Sequence, residues 1–228
     1  MWPSGHDLFR LERSRGRRSS SSPGGRQRVR RDRRRRAGRR SHADGYRNAV
    51  SYIHSLFSGW GSGVVAGKTG ILLNNRGRGF SLEPDSPNRL AGGKRPMHTL
   101  NCYLLTRGRE PWVVGNTPGG NMQVQWNAQV ISNLVDLGMD VQQAVGAPRW
   151  HLVPGTDPAR IGAPFEVRIE SPFGGEVIEE MRSRGHEVVD SGPWLRVEGG
   201  RCQLIAFEEF GVMTGGSDPR LGGVALGL

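Results

Sequence analysis

The sequence predicts an α+β fold, in which groups of strands form a layered sheet core beside a few helices. At 228 residues, the chain is long enough to bury the core of one large domain or of two small ones. Strand patterns occur in groups over residues 49–114 and 165–207, whereas helical periodicity is confined to a central pair and one later helix. Grouped strands with few helices indicate mixed α and β layers.

The first group of strands lies between residues 49 and 114. Residues 49–54 alternate apolar and polar side chains, as in a half-buried strand. Residues 100–105 and 112–114 are predicted to be two more strands, because a turn sequence with Gly108 and Pro111 separates them.

Two helices are predicted next. Apolar side chains recur at spacings of four, three and four residues, at Val124, Ala128, Ile131 and Val135, with Val130 and Leu134 alongside. Gly138 is suited to ending this helix. Asp140 can cap a second, short helix, with Gln143 in the reciprocal position of a capping box, and this helix must stop before Pro148.

The C-terminal part is predicted to add strands and one helix. Residues 165–170 form a strand pattern, after which Ser171 and Pro172 open a helix that Gly185 closes. Strands follow at 187–190 and 203–207.

The net positive charge of the chain comes from its first 40 residues. Residues 1–40 contain 15 arginines and three acidic residues, whereas the rest contains 17 basic and 18 acidic residues. We therefore expect residues 1–43 to be a disordered arginine-rich arm and residues 44–228 to be the globular domain. Two interpretations of the arm stay open. The run from Arg26 to Arg40 could bind nucleic acid non-specifically, or the arm could be text from a shifted reading frame or a false start.

Several classes of protein are excluded. No apolar stretch of about 18 residues is present, so no membrane-spanning helix is expected. The N-terminus lacks the apolar core of a signal peptide, which predicts a cytoplasmic location for this sequence. Cys102 and Cys202 are too few for a disulfide scaffold or a cysteine-rich zinc module, and the histidines are scattered. We expect no metal and no cofactor.

Three polar loops could carry function. Residues 117–120, Thr-Pro-Gly-Gly, lie between a predicted strand and a predicted helix, where two glycines leave backbone N–H groups accessible to an oxyanion. An ordinary turn fits these residues equally well. Loops 74–80 and 95–99 are either solvated connections or binding loops on a rigid sheet.

Nine short blocks stand in a fixed order along the second part of the chain. They are NAVS at 48–51, FSGWGSG at 57–63, GILLNN at 70–75, NR at 88–89, GKRP at 93–96, TPGG at 117–120, DLGMD at 136–140, APR at 147–149 and SDPR at 217–220. As a set, over about 180 residues, they resemble the small, C-terminal subunit of the gamma-glutamyltransferase (gamma-glutamyl transpeptidase) family.

The resemblance implies an N-terminal nucleophile hydrolase with a four-layer αββα sandwich, of which this chain is the small-subunit half. Family members, which include glutathione hydrolases, cut their own precursor ahead of a threonine. Its hydroxyl then attacks a gamma-glutamyl amide and its freed amine is the base. The acyl group passes to water or an amino acid. The expected partners are a small-molecule amide and a large subunit, and family members are often periplasmic or secreted. The alternatives are a nucleic-acid-binding protein that works through its arm, and a non-catalytic subunit that pairs with a separate large subunit.

The resemblance also assigns catalytic positions. Gly119 and Gly120 fill the places of the oxyanion glycines, and Ser55 stands where a threonine hydroxyl usually supports the nucleophile. The nucleophile itself should lie near Ala37, yet no threonine occurs before Thr69. We therefore expect this chain to be inactive by itself.

The predicted substrate contacts depart from the family pattern. His98 and Thr99 stand where two serines bind the alpha-carboxylate of the substrate. Arg76 and Gly79 replace the acidic or amide residue and the aspartate that bind its alpha-amine, and Asn74 belongs to the same loop. A buried ammonium needs a partner, whereas an arginine favours a carboxylate. Glutaryl-type amides are therefore expected as substrates besides gamma-glutamyl ones.

Overall fold

The computed structural model describes residues 10–11, 38–155, 162–194, 201–220 and 222–227. Within them, mixed α and β structure is confirmed, and none of the described helices is long and apolar enough to cross a membrane. The strands are β1 Arg10–Leu11, β2 Gly38–Ala43, β3 Ala49–His54, β4 Cys102–Arg107, β5 Glu110–Asn116, β6 Trp150–Val153, β7 Glu166–Ile169, β8 Val188–Asp190, β9 Gln203–Phe207 and β10 Met213–Ser217. The helices are α1 Gln123–Val135, α2 Val141–Gly146 and α3 Gly175–Ser183.

The central layer is an antiparallel sheet with the strand order β1-β10-β9-β5-β4. One face of this sheet packs against α1 and α2 and forms the main hydrophobic core. Val113 of β5, Val130 of α1 and Val145 of α2 are fully buried in it. Each such side chain stabilises the fold by about 1.5–3 kcal/mol relative to an exposed one.

The hairpin of β2 and β3 packs on the opposite face of the sheet. Its register runs from Gly38↔His54 to Ala43↔Ala49. Asn116 at the end of β5 donates through Nδ2 to the Oγ atoms of Ser41 (3.1 Å) and Ser51 (3.2 Å). Side chains three positions apart on a strand face opposite sides, so Asn116 faces the hairpin while Val113 faces the helices.

The described domain begins earlier than the sequence predicts. We expected disorder up to residue 43, but β2 already forms a strand from Gly38. Its basic sequence has little strand propensity, and the six pairs with β3 compensate for this. The arm's residues 1–9 and 12–37, which include most of the arginine run, lie outside the described residues.

A second sheet has the order β6-β7-β8, and two glutamines of α1 bind its β6 edge. Gln125 accepts from the Leu152 N–H (2.7 Å) and donates to the Leu152 carbonyl (3.3 Å). Gln129 makes the same pair of bonds with Trp150, at 3.1 and 2.8 Å. Four outward-facing backbone groups of β6 are thereby satisfied by side chains.

The apolar stripe predicted for α1 is not its buried face, whereas Val130 and Leu134, which lie alongside that stripe, are buried. The extent of α1 and the capping box of Asp140 and Gln143 are confirmed. Val124 and Val135 are more than half exposed. The buried face consists of Gln123, Trp126, Asn127, Val130 and Leu134. Apolar periodicity does not indicate Gln123 and Asn127, because both are amides, which are buried here with backbone partners.

The later helix begins after its predicted start. Residues Ser171–Phe173 form a short 3-10 turn, and α3 starts only at Gly175. Gly174, with φ 94°, separates the two. Gly185, with φ 89°, lies just after the helix, as predicted for a terminating glycine.

Candidate functional site

The turn between β5 and α1 requires glycine at two positions for two different reasons. Gly119 has φ 135°, and a Cβ there would lie 1.9 Å from the Trp126 ring. Gly120 has φ 57° but faces open space. Both glycines are exposed, and within the described residues neither N–H donates a hydrogen bond. Within the described residues, the turn therefore holds two N–H groups that donate no hydrogen bond, with Gly119 packed against a buried tryptophan.

The loop before β4 is fastened to the start of α1. Asn101 donates its N–H to Gln123 Oε1 (3.0 Å), and its carbonyl accepts from Asn127 Nδ2 (3.1 Å). Asn101 Nδ2 in turn donates to the carbonyl of Thr99 (3.2 Å). Thr99 is buried whereas His98 is exposed. The side chains that fix this loop are therefore those of the helix that follows the glycine turn.

Ser55 directly follows β3 and begins a second loop that is fixed by hydrogen bonds. Its Oγ accepts from the N–H of Phe57 (3.1 Å). The Asn75 side chain accepts from the N–H of Ser58 (3.0 Å), and the Asn75 N–H donates to the Leu56 carbonyl (3.2 Å). Ser55 is thus connected to the loop of the predicted substrate residues.

The two substrate loops meet at Gly79. A Cβ at Gly79 would lie 3.5 Å from the Met97 carbonyl, which is ordinary contact. Asn74 uses its side-chain oxygen to accept from the N–H of Arg76 (3.0 Å). The structure therefore brings the 74–79 and 97–99 loops together. Within the described residues, no hydrogen bond joins Ser55 directly to the glycine turn.

A buried ionic network joins two of the sequence blocks. Arg149 contacts Asp218 (Nη1 to Oδ2, 2.7 Å), while Arg220 contacts both Asp218 (3.0 Å) and Glu170 (2.5 Å). All four residues are buried. None of the four was predicted as a site residue from the sequence. The blocks APR and SDPR each contain an arginine, and this is the sequence feature from which the network could have been inferred. A charged side chain in a buried segment needs a partner of opposite charge.

The two thiols differ in environment and should differ in reactivity. Cys202 is fully buried, and burial raises the pKa of its thiol, whereas Cys102 is exposed on β4. Thiolates are the reactive species. We expect a disulfide reagent at pH 8 to label one thiol in the folded protein and two in denaturant. Cys102→Ser should leave the folded protein unlabelled, and rapid labelling of this variant would contradict the assignment.

The sequence pattern of the gamma-glutamyltranspeptidase family matches residues 19–228. The chain is 40% identical over 190 residues, 82% of its length, to the glutathione hydrolase-like YwrD proenzyme of Bacillus subtilis (strain 168), of which it covers 34%. The fold is that of the N-terminal nucleophile hydrolases, the class of its gamma-glutamyltranspeptidase and acylase neighbours. The chain belongs to the gamma-glutamyltranspeptidase family.

Two solved structures match the fold. A gamma-glutamyltranspeptidase from Pseudomonas nitroreducens complexed with L-DON has a TM-score of 0.69 at 28% identity, covering 83% of this chain and 98% of that one. Cephalosporin acylase from Bacillus halodurans has a TM-score of 0.70 at 37% identity, covering 79% of this chain and 32% of that one. The chain spans about a third of the length of the curated relatives it matches.

Proposed function

We propose that the domain of residues 44–228, extended by β2, is the small-subunit half of an amidohydrolase or acyltransferase, completed by a large subunit. Its helices, central sheet and hairpin follow one another as an α layer and two β layers, which supports a four-layer αββα sandwich whose remainder comes from the partner. The share of the relatives that the chain covers, about a third, supports the need for that partner.

In the proposed reaction of the completed enzyme, the attacking group is a threonine at the start of β2, which this chain lacks. The threonine hydroxyl attacks the amide carbonyl, its amine takes the hydroxyl proton and passes it to the leaving amine, and water or an amino acid then takes the acyl group. The expected threonine position, near Ala37, immediately precedes Gly38 in sequence. Gly38 pairs with His54, the neighbour of Ser55, so the Ser55 hydroxyl is suited to supporting that nucleophile. The amides of Gly119 and Gly120 then stabilise the oxyanion.

One observation carries the substrate proposal: a cation at position 76 and a glycine at position 79 occupy the loop that should bind an alpha-ammonium. Gly79 offers no carboxylate to an ammonium group, and Arg76 repels it. His98 and Thr99 retain hydrogen-bond donors for a carboxylate or carbonyl. A glutaryl group differs from a gamma-glutamyl group only in lacking this ammonium, so we expect glutaryl-type amides to be preferred. The similarity to a cephalosporin acylase supports an acyl substrate other than a gamma-glutamyl compound.

The test is a rebuilt precursor. The large-subunit region of the Bacillus subtilis relative would be joined to this chain at Gly38, with threonine replacing Ala37. Specificity constants for glutaryl and gamma-glutamyl anilides are expected to favour the glutaryl compound by about 5- to 150-fold, because an unpartnered desolvated charge costs about 1–3 kcal/mol. The chain alone should show neither self-cleavage nor turnover, and serves as the baseline.

A matched variant isolates the cause. Gly79→Asp supplies the missing carboxylate where a Cβ meets only ordinary contact, and it should raise gamma-glutamyl use while leaving glutaryl use no better. A rebuilt enzyme that uses the gamma-glutamyl anilide equally well or better would contradict the proposal. The nucleic-acid alternative depends on Arg26 to Arg40, most of which lies outside the described residues.

A further inference from the structure

Phe57 adopts a backbone conformation that is unusual for an aromatic residue. Its φ is 76°, in the left-handed region where non-glycine residues are strained. Its N–H donates to Ser55 Oγ. On either side of it, the Ser58 N–H donates to Asn75 Oδ1 and the Leu56 carbonyl accepts from the Asn75 N–H, and these bonds hold the conformation. Backbone strain that is maintained by several surrounding hydrogen bonds is typical of functional loops.

The ring of Phe57 lies under the guanidinium group of Arg76. The Cζ atom of Arg76 is 5.5 Å from the ring centroid, within cation–π range. Both terminal nitrogens, Nη1 and Nη2, are buried and have no hydrogen-bond partner within the described residues. Burial also lowers the pKa of Arg76. A guanidinium with two buried, unused donors is incomplete without an acceptor.

The chemistry of the missing acceptor follows from the donor geometry. The guanidinium fork matches the two oxygens of a carboxylate and binds them bidentately. Gly79, in the same turn, carries no side chain, and the Phe57 ring is the apolar group that the guanidinium contacts. Arg78 lies in the same 3-10 turn, Arg76–Gly79, but is exposed to solvent.

We propose that Phe57 is a positioning residue that holds Arg76 as a receptor for the carboxylate at the far end of a short dicarboxylic acyl group. The assignment of this carboxylate to the acyl substrate rests on the proposed function. The receptor itself is a property of this chain and exists without catalysis. Through the bond to Ser55, Phe57 also fixes the receptor relative to the end of β3.

The test is the binding of glutarate to the full chain at constant ionic strength, measured by calorimetry. Arg76→Gln should weaken binding at least about tenfold, and Phe57→Leu by about three- to tenfold, because each removes a charged or cation–π contact. Phe57→Tyr should retain binding. Arg78→Gln, the matched control, should bind like the wild type.

Phe57→Gly separates positioning from stability. Glycine tolerates φ 76° without strain, so the urea midpoint should not fall, yet glutarate binding should weaken like that of Phe57→Leu. Several results would overturn the proposal: no glutarate binding by the wild type, no loss in Arg76→Gln, wild-type affinity in Phe57→Gly, or inorganic phosphate binding equally well through Arg76. Glutarate binding together with gamma-glutamyl preference in the rebuilt precursor would overturn the proposed function and leave the receptor standing.

Discussion

Asp218→Asn is expected to lower the free energy of unfolding by about 3–5 kcal/mol, the cost of breaking a buried ion pair. Oδ2 of Asp218 accepts from Arg149 Nη1 (2.7 Å) and from the Cys202 N–H (3.0 Å). Oδ1 accepts from the backbone N–H and the Nη1 of Arg220, each at 3.0 Å. Asparagine keeps the shape, but it directs an NH2 group at one of these donors and leaves two buried arginines short of charge.

Urea unfolding followed by tryptophan fluorescence measures this effect. The matched control is Glu180→Gln, because Glu180 pairs with Arg184 on the exposed face of α3 at 2.8 Å. Surface pairs contribute little, so this variant should change the free energy by less than about 0.5 kcal/mol. A loss below about 1 kcal/mol for Asp218→Asn would mean that Glu170 alone compensates both arginines.

Gly119→Ala is expected to destabilise the fold by about 2–5 kcal/mol, since it adds overpacking to backbone strain. The new Cβ would overlap the Trp126 ring, which is fully buried and packs edge-on against His151 with ring centroids 5.4 Å apart. The ring therefore has no free space to move into, and the turn would have to shift, taking the amide donors with it.

Two further variants separate overlap from strain. Gly120→Ala keeps the strain of φ 57° but meets open space, so it should cost only about 1–2 kcal/mol. Trp126→Leu removes the ring that the new Cβ would strike. In a double-mutant cycle, Gly119→Ala should cost less in the Trp126→Leu background than in the wild type. Equal costs in both backgrounds would show that strain alone makes glycine necessary.

The sequence predicts the fold where local patterns and tertiary packing agree. The alternation over β3 and the capping box of α2 were both confirmed, because each signal depends on neighbours along the chain. β10 was missed because its glycines resemble a loop, whereas Gly216 is small so that Val141 can approach: a Cβ there would lie 2.6 Å from the Val141 carbonyl. A close approach of this kind, between backbones that are distant in sequence, cannot be predicted from a local sequence pattern.

The candidate site shows the same division. The glycine turn is visible in the sequence as a motif, but the Trp126 ring beneath Gly119 is not, since it depends on how α1 rotates against the sheet. Arg76 was predicted as a substrate contact from the family resemblance of its loop. The support from Phe57 could not be predicted, because a left-handed φ at an aromatic residue is a result of the folded loop.

The glutamine contacts between α1 and β6 have a consequence for assembly. Gln125 and Gln129 occupy the backbone groups of Trp150 and Leu152 that an added strand would use. An extended peptide from another molecule therefore finds these backbone groups of β6 already hydrogen-bonded. Among the described strands, β8 forms the other edge of this sheet. Side chains of α1 thus cover the β6 edge, which would otherwise be open to the self-association that is common at free sheet edges.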